Sequence, residues 1–570
     1  MNKILILGAG LMQKPAILAA KHLGFKAIVV DANKNAVAVP MADEFYPVDL
    51  KDRESLLELA KKLNKKGDLK GVFTAGTDFS ASVSFVAENL GLPAHSFEAA
   101  LNASDKVRMR ACFEKAGVPS PKFQELDESC HSEFSSESKK NEILRQSDRN
   151  NESGRTQNDE SSKICANLCK SVDYPKVVKP CDNMGGRGCR LIRTEGELAP
   201  AVTHAIENSR THRAIFEDYM EGAEFSIDSV VYNGTLTITG FADRHIFYPP
   251  YFIEMGHSLP SKCEPKIKNE LIATFALGIK ALGLTCGVAK ADIKYTKNGP
   301  MIGEIAARLS GGYMSGWTFP YASGMNLTEE ALKIAVGKEP DYLLSNRVSL
   351  PWQPHESVKG KTQPFELYEI TNTLVSAERA WLSIPGTVAK IYGLDEVKQI
   401  YGMRDVLPRA KEGDKVEFPR NNVEKCGNII AVGINHEQAY KSAEEAVSSI
   451  TLRLEPNNAE TEKFLSGSCE IDEEGFPPSA FTFAPKNANS LTVGEGTKIP
   501  ENAKTIDYLP ETLIPLADSL KDWNHRTLRK TLEQFDALCP THAELDGKRF
   551  WQAVLRGGIQ GALYVADNQS

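Results

Sequence analysis

The sequence predicts an α/β protein of several domains that begins with parallel βαβ units. Short apolar runs alternate with helical patterns over the first hundred residues, which is typical of parallel strands linked by helices. A second series of strands and helices occupies residues 174–337 around a lysine and a glycine-rich turn. The chain has 570 residues, too many for one hydrophobic core. Roughly three to five folding units are therefore expected.

The composition narrows the classes of partner. The formal net charge of −8 provides no broad basic surface, so nucleic acid is not expected as a partner. No apolar run reaches membrane-spanning length and the first residues lack the order of a signal peptide, so we expect no membrane association and a cytoplasmic location. The 11 cysteines include no C-x-x-C pair, which argues against a zinc site or a disulfide framework. Small metabolites remain as the expected partners.

The first strand, Ile4–Leu7, ends in the turn Gly8-Ala9-Gly10-Leu11-Met12-Gln13. This turn is similar to a dinucleotide-binding fingerprint, but glutamine stands where the third glycine belongs. We therefore favour a tight turn that opens a helix over an NAD site. Two roles are open for Asp31 after the second strand, because it can hold a ligand hydroxyl or cap a turn.

The patterns divide the chain into four ranges. Residues 1–105 form the first domain, and residues 106–340 form a second α/β domain. Within the second domain, residues 127–172 lose the pattern, and a polar segment buries too little surface to offset its ordering entropy. We predict a disordered insertion there. Residues 341–455 form a C-terminal lobe, and residues 456–570 form a partly helical extension of unknown role.

The strongest single motif is VVKP followed by GGRG within residues 177–188. An apolar strand delivers Lys179, and a turn containing Gly185, Gly186 and Gly188 comes next. Glycines let backbone N–H groups approach phosphate oxygens, and the lysine adds a point charge. The motif predicts a phosphate-binding loop, with a flexible hairpin as the alternative.

The segment FEDYMEGAEFSID, residues 216–228, contains two strands joined by an acidic crossing. Its main chain can offer a carbonyl and an amide to an adenine edge, and its later acid can accept from ribose hydroxyls. Surface acids in a turn are the alternative. The residues concerned are Glu217, Asp218, Tyr219 and Met220 for adenine, and Glu224 for ribose.

Two strands joined by the turn Lys297–Pro300 contain the predicted metal site. The hairpin brings Asp292 close to Glu304, and two carboxylates beside a triphosphate suit Mg²⁺. Arg308, four residues after Glu304, lies on the same face of an extended strand and can neutralise a transferring phosphoryl group. A structural ion pair is the alternative for any one of these residues.

The order and spacing of these motifs resemble the ATP-grasp superfamily over residues 1–455. The resemblance includes Ser104-Asp105-Lys106 opening a helix before the glycine loop. It implies a Rossmann-like pre-ATP-grasp domain, a two-lobed α+β ATP-grasp domain and a C-terminal α+β lobe. The most similar branch is that of the L-amino acid ligases, and grasp domains of the carbamoyl-phosphate synthase large chain and biotin carboxylase type are also similar.

The resemblance also implies ATP and Mg²⁺ (or Mn²⁺) as cofactors. Lys106 and Lys179 would contact ATP phosphates, with the glycine loop closing over them. Adenine would bind the main chain at 217–220, with Glu224 on ribose.

The metal site departs from the family pattern at one residue. The resemblance implies that Asp292 and Glu304 bind two Mg²⁺ ions, with Glu304 bridging, and that Arg308 steadies the phosphoryl group. Many members carry Asn two residues after the second metal carboxylate, whereas this chain has Ala306. One metal ion is therefore expected to be held more loosely.

A loop at residues 249–261, PPYFIEMGHSLPS, is similar to the loop that helps form the amino-acid pocket of L-amino acid ligases. Glu254 and His257 are thus candidates for recognising an ammonium group and managing its proton. A histidine satisfied by its neighbours is the alternative.

The implied function is an ATP-dependent ligase that activates a carboxylate as an acyl phosphate and passes it to an amine. Three alternatives are left open: a bicarbonate-phosphorylating carboxylase or carbamoyl-phosphate-synthase-like enzyme, a purine-pathway ligase, and a non-catalytic ATP-binding regulatory protein. A homodimer is also left open.

Overall fold

The computed structural model describes residues 1–127, 173–467, 475–481 and 498–569. Apart from Asp127, the predicted disordered insertion 127–172 lies outside the described residues. The chain divides into two compact units. The first unit comprises Met1–Arg244 and Ser258–Leu374, and the second comprises His245–His257 and Val375–Ser570. The finer division into four ranges stays a prediction.

The first unit begins with a parallel sheet of order β3-β2-β1-β4. Ile4 and Ile6 pack on one face and Leu5 and Leu7 on the other, so both faces are buried. This explains the continuous apolar run at the start of the sequence. The strands are β1 (Lys3–Leu7), β2 (Lys26–Val30), β3 (Glu44–Tyr46) and β4 (Leu69–Phe73), and the helices are Lys14–His22, Arg53–Leu63, Ser80–Asn89 and Phe97–Ser104.

Internal hydrogen bonds close the turn after β1. The Gln13 side chain is buried, donates to the Ala75 carbonyl and accepts from the Ala75 N–H at 3.0 Å. Asp31 accepts from the N–H groups of Ala9 and Asn33, both at 2.8 Å. Both polar side chains therefore act as structural ties, in agreement with the tight turn favoured over an NAD site.

The next sheet is antiparallel, with the order β5-β8-β6-β7. The helix Leu198–Glu207 covers it through a cluster that includes Val178, Val202 and Phe216. Lys179 and Glu217 lie on its two central strands. The strands are β5 (Phe123–Leu126), β6 (Lys176–Pro180), β7 (Arg190–Ile192) and β8 (Ala214–Asp218), and the helices of this region are Lys106–Ala116 and Leu198–Glu207.

A larger, mainly antiparallel set of strands follows, in which β9 pairs with β10 and β12, and β12 pairs with β13. The predicted hairpin is confirmed, because Asp292 on β12 lies directly opposite Glu304 on β13. The strands are β9 (Gly222–Tyr232), β10 (Thr235–Phe247), β11 (Ile253–Leu259), β12 (Gly287–Thr296), β13 (Gly299–Ala306), β14 (Arg347–Ser349) and β15 (Glu366–Ile370). The helices are Pro265–Leu282, Phe319–Ser323, Leu327–Ala335 and Asp341–Ser345.

In the second unit, β20 pairs antiparallel with β16 and β18, and β17 pairs with β19 and β21. Across the parts of the chain that the structure describes, no helix combines the length and the apolar character needed to cross a membrane. The strands are β16 (Val375–Trp381), β17 (Gly386–Tyr392), β18 (Met403–Pro408), β19 (Lys415–Val416), β20 (Gly427–Gly433) and β21 (Thr451–Leu454), and the helices are His436–Val447, Ala459–Leu465, Leu528–Leu538 and Gly547–Asp567.

The described parts of the C-terminal extension belong to the core of this second unit. Phe550 and Leu563 share one buried cluster with Trp381. Asn524 accepts from the Leu382 N–H at 2.8 Å and donates to the Leu382 carbonyl at 3.0 Å. The extension therefore supplies both apolar packing and hydrogen bonds to the lobe that precedes it in sequence.

Candidate active site

A group of cations surrounds one carboxylate in the first unit. The Glu304 carboxylate lies 3.8 Å from the Lys106 ammonium. Burial by itself raises the pKa of Glu304, but Lys106, Lys290, Arg308 and Lys179 together lower it to about 2. Glu304 is therefore ionised at neutral pH, and the positive charge around it suits a polyanionic ligand.

Helix capping fixes Lys106 at this site. Asp105 accepts from the backbone N–H groups of Val107 and Arg108 at 2.9 and 3.0 Å, so the helix begins at Lys106. The Lys106 ammonium donates to the Asn183 carbonyl in the glycine loop at 2.9 Å. Burial lowers its pKa, but the nearby Glu304 carboxylate and other acidic groups raise it above the usual value. Lys106 is thus a charged group that touches the loop.

The glycine loop has the backbone conformation that the motif predicts. Gly185, Gly186 and Gly188 have φ values of 73°, 76° and 71°, which side chains rarely adopt. A Cβ atom on Gly188 would also lie 2.8 Å from the side chains of Pro180 and Asn208. Glycine is therefore required at position 188 by both conformation and space.

A buried carboxylate holds Lys179 in place. The Lys179 ammonium donates to Glu217 at 2.7 Å, and the other Glu217 oxygen lies 2.7 Å from Arg110 Nε. Burial raises the pKa of Glu217, but Arg110 and Lys179 lower it below the usual value. Arg110 also donates to the Gly303 carbonyl at 2.6 Å. The sequence predicted a main-chain role for Glu217 and Asp218, and the structure adds this role for the Glu217 side chain.

Three further residues of the predicted adenine and ribose site contact one lysine, whereas Asp218 contacts Lys176. Lys294 Nζ donates to the Met220 carbonyl at 3.1 Å and lies 5.2 Å from the centroid of the Tyr219 ring. It also lies 3.3 Å from Glu224. Lys294 follows Asp292 by two residues on β12, so the alternation of a strand was the signal for its place on the same face.

Two cations hold Asp292 in the structure. Lys290 contacts one carboxylate oxygen, and Arg244 Nη1 lies 2.9 Å from the other. Arg244 also contacts Glu224 at 2.7 Å, so it joins the predicted ribose and metal residues. Sequence reasoning missed both cations.

Buried polar contacts fix the segment after β13. β13 ends at Ala306, so the prediction that Arg308 lies on the same extended strand as Glu304 is wrong. Arg308 is buried and donates to the Leu309 carbonyl at 3.1 Å. The buried Asp228 accepts from the Ser310 hydroxyl and from the Ser310 N–H at 3.2 Å. Burial raises the pKa of Asp228 to about 7, against the opposing effect of these hydrogen bonds and of Lys290. Asp228 is thus a further residue of the site that the motifs did not identify.

The residues present fit a magnesium nucleotide. Asp292 and Glu304 face each other across two strands, and carboxylate oxygens are ligands that Mg²⁺ prefers. Lys106 and Lys179 supply charge for phosphate oxygens. Ala306, however, supplies no oxygen from its side chain, so two carboxylates are the ligands that the predicted positions offer.

The predicted pair Glu254 and His257 lies in the second unit, on strand β11 and not in the loop that the sequence indicated, and a third residue joins it. His257 Nδ1 lies 3.2 Å from Glu378 and 3.7 Å from Glu254. Burial lowers the pKa of His257, but hydrogen bonding to the two carboxylates raises it above the usual value. Asn428 donates to Glu378, and Lys425 donates to the Glu254 carbonyl at 2.6 Å. The structure therefore brings the pair together and adds Glu378.

Three family models match the chain in sequence order. An ATP-grasp N-terminal domain model matches residues 17–94, an ATP-grasp domain model matches 172–316, and a model of L-amino acid ligase C-terminal domain 2 matches 380–455. The chain belongs to the ATP-grasp superfamily. ATP-grasp ligases are enzymes that form carbon–nitrogen bonds, so the predicted family, fold class and enzyme class are confirmed.

Known ATP-grasp proteins are similar at low identity. Carnosine synthase 1 of Homo sapiens is 23% identical over 358 residues, which are 60% of this chain and 40% of that enzyme. The L-amino acid ligase structure of Bacillus licheniformis has 19% identity and a TM-score of 0.60, with coverage of 80% of this chain and 99% of that chain. The matched region thus spans less than half of carnosine synthase 1, and the solved structure shows the shared fold.

A biotin carboxylase domain has the same fold. The domain comes from the 2-oxoglutarate carboxylase of Hydrogenobacter thermophilus, and its structure is a dimer in complex with MgADP, ADP and bicarbonate. It has 18% identity and a TM-score of 0.54, and the match covers 80% of this chain and 91% of that chain. That protein therefore binds a magnesium nucleotide on this fold.

Proposed function

We propose that this ATP-grasp protein is an ATP- and Mg²⁺-dependent ligase that activates a carboxylate as an acyl phosphate and joins it to an amine. The observation that carries the proposal is the Asp292–Glu304 pair, set opposite each other on one hairpin among Lys106, Lys179 and Arg308. A protein that only bound a nucleotide would have less need for two metal carboxylates and an arginine around the terminal phosphate.

The cations and the glycine loop bind and orient the nucleotide in this proposal. Lys106 and Lys179 bind phosphate oxygens, and Glu217 keeps the Lys179 ammonium in position. When bound, Mg²⁺ neutralises phosphate charge and orients the terminal phosphoryl group. Arg308 stabilises the charge that develops during phosphoryl transfer. The predicted contacts of adenine with residues 217–220 and of ribose with Glu224 stay proposals.

The proposed chemistry has two steps. A carboxylate oxygen of the substrate attacks the terminal phosphorus while the bond to the leaving ADP oxygen breaks, which gives an acyl phosphate and ADP. The amine then attacks the acyl carbon, the phosphate leaves with one oxygen of the original carboxylate, and the amine loses a proton. Neither step needs a nucleophilic side chain of the protein, so positioning and charge stabilisation are the tasks of the residues above.

We assign Glu254 and His257 to the amino-acid pocket of this ligase. The Glu254 carboxylate recognises an ammonium group, and Glu378, which lies beside the same imidazole nitrogen as Glu254, orients His257. The assignment is supported by the similarity of residues 380–455 to an L-amino acid ligase domain. The alternative is that these residues satisfy one another within the fold. Glu254→Gln distinguishes the two. If Glu254 binds the amine, the substitution raises KM for the amine and leaves the stability unchanged, whereas a purely structural Glu254 gives a loss of stability.

An isotope experiment tests the proposed function. The protein is incubated with ATP, Mg²⁺ and pairs of amino acids in which the carboxylate is labelled with ¹⁸O, and the released phosphate is analysed by mass spectrometry. We expect ¹⁸O to enter the phosphate only with the correct pair, and Glu304→Gln serves as the inactive control.

Other outcomes contradict the proposal. Labelling that depends on bicarbonate and on no organic acid would instead support a carboxylase. Tight ATP binding without any substrate-stimulated hydrolysis would support a regulatory protein. The cytoplasmic location and the homodimer stay predictions and are not decided by this experiment.

A further inference from the structure

A buried lysine lies beside Asp292, one of the two carboxylates of the predicted metal site. Lys290 lies on β12, two residues before Asp292, and its side chain is buried. Its ammonium contacts the Asp292 carboxylate. The sequence motifs gave this lysine no role, and no step of the proposed reaction uses it.

The strand register places Lys290 beside the position where the site departs from the family pattern. Lys290 lies directly opposite Ala306 on β13, just as Asp292 lies opposite Glu304. Residues two apart on a strand share a face, and directly opposed residues have Cβ atoms about 5 Å apart. A long side chain therefore faces a small one where many family members carry the amide of an asparagine.

Strand β9, which pairs with β12 on the side away from β13, adds a carboxylate next to Lys290. Asp228 on β9 lies opposite Lys290 on the other side, and the Lys290 charge acts on the pKa of both Asp228 and Glu304. The ammonium thus sits among Asp292, which it contacts, and two further acidic groups. Lys290 is one of two cations at Asp292, the other being Arg244, and its charge also acts on Asp228 and Glu304.

We propose that the Lys290 ammonium takes the place of one of the two Mg²⁺ ions, so that the chain binds its nucleotide with a single Mg²⁺ held by Asp292 and Glu304. Ala306, which lacks the amide that many family members carry, and Lys290, which lies opposite it, act together in this arrangement. Lys290 occupies one oxygen of Asp292 and supplies positive charge, and Ala306 leaves space for it. The inference rests on the proposed function, since it concerns the metal ion that accompanies ATP.

The number of bound metal ions tests the inference without any turnover. Mn²⁺ replaces Mg²⁺, the non-hydrolysable analogue AMPPNP replaces ATP, and bound Mn²⁺ is counted by electron paramagnetic resonance during a titration of the intact chain. We expect one Mn²⁺ per bound nucleotide in the wild type and two in Lys290→Met. Adding Ala306→Asn to Lys290→Met should tighten the second ion, because the amide oxygen becomes a ligand.

Matched variants control for charge and for folding. Lys268→Met removes a lysine that pairs with Glu369 outside the site, and it should keep one Mn²⁺. Lys290→Arg keeps the positive charge and should also keep one. Calorimetry of AMPPNP binding is run on each variant, so that metal is counted only against bound nucleotide.

Three outcomes overturn the inference in distinguishable ways. Two Mn²⁺ ions per nucleotide in the wild type refute it directly and need no variant, so the test does not depend on how Lys290→Met folds. A single ion in both the wild type and Lys290→Met refutes the role of the lysine while leaving the ligase proposal intact. Failure of the wild type to bind AMPPNP refutes the proposed function itself, and the inference falls with it.

Discussion

Neutralising Glu217 should destabilise the first unit locally, and the loss of free energy can be estimated from the contacts of this residue. Glu217 is buried and holds both Arg110 and Lys179 at 2.7 Å. Removing one partner of a buried ion pair costs about 3–5 kcal/mol. In Glu217→Gln the amide still accepts a hydrogen bond and Arg110 keeps the Gly303 carbonyl, so we expect the lower end, about 3 kcal/mol.

Hydrogen exchange measured by mass spectrometry reads this loss where it arises. We follow peptides from the helix Lys106–Ala116 and from β8. Where these segments reclose faster than the amides exchange, the exchange rate follows the opening equilibrium, and a loss of about 3 kcal/mol speeds exchange roughly 100-fold. Asp218→Asn is the matched control, because Asp218 is on the same strand, is 41% exposed and pairs with Lys176. We expect it to cost at most about 1 kcal/mol. Equal acceleration in the two variants would refute the reasoning that burial makes the Glu217 pair strong.

Three further predictions concern other parts of the molecule. Glu304→Gln should abolish ADP release while the chain still binds nucleotide, because an amide is a poor ligand for Mg²⁺, and near-wild-type turnover would remove Glu304 from the metal site. Glu378→Gln should lower the pKa of His257, which ¹³C NMR of labelled histidine would report. The pKa of His257 is raised in the folded state, so the protonated imidazole stabilises the wild-type fold. In urea unfolding, the part of the variant's stability loss that depends on this proton should be complete at pH values below the pKa of His257 in the unfolded chain. It should disappear as the pH rises through the pKa of His257 in the folded protein. Gln13→Ala should lower the free energy of unfolding by about 1–3 kcal/mol in thermal unfolding, because the Ala75 N–H and carbonyl lose the Gln13 side chain as a partner. The KM for ATP should not change, and an altered KM would show that Gln13 contacts the ligand.

The sequence predicted those parts of the site in which contact follows from local pattern. Asp292 and Glu304 are on one hairpin, so a turn and a period of two were enough to bring them together. The glycine loop was likewise readable, because φ values that side chains rarely adopt require glycine at fixed places.

The parts that depend on register between distant strands were not predictable. Alternation places Lys290 on the face of Asp292, but its neighbour Asp228 is known only from the pairing of β12 with β9. Glu378 joins His257 through a strand far along the chain. For Glu217 the sequence predicted only a main-chain contact with adenine, because burial of its side chain beside Arg110 has no local signature in the sequence.

The discontinuous second unit has a consequence for biosynthesis. Ile253 and Met255 emerge from the ribosome early, yet the buried cluster that covers them includes Phe550 and Leu563. The first unit has all of its residues once Leu374 has emerged, whereas the second waits for nearly two hundred more. During that interval the core that buries these two apolar side chains is incomplete, and exposed apolar surface of this kind is what chaperones recognise. A stop codon shortly before Phe550 should therefore yield a folded first unit joined to an aggregation-prone remainder.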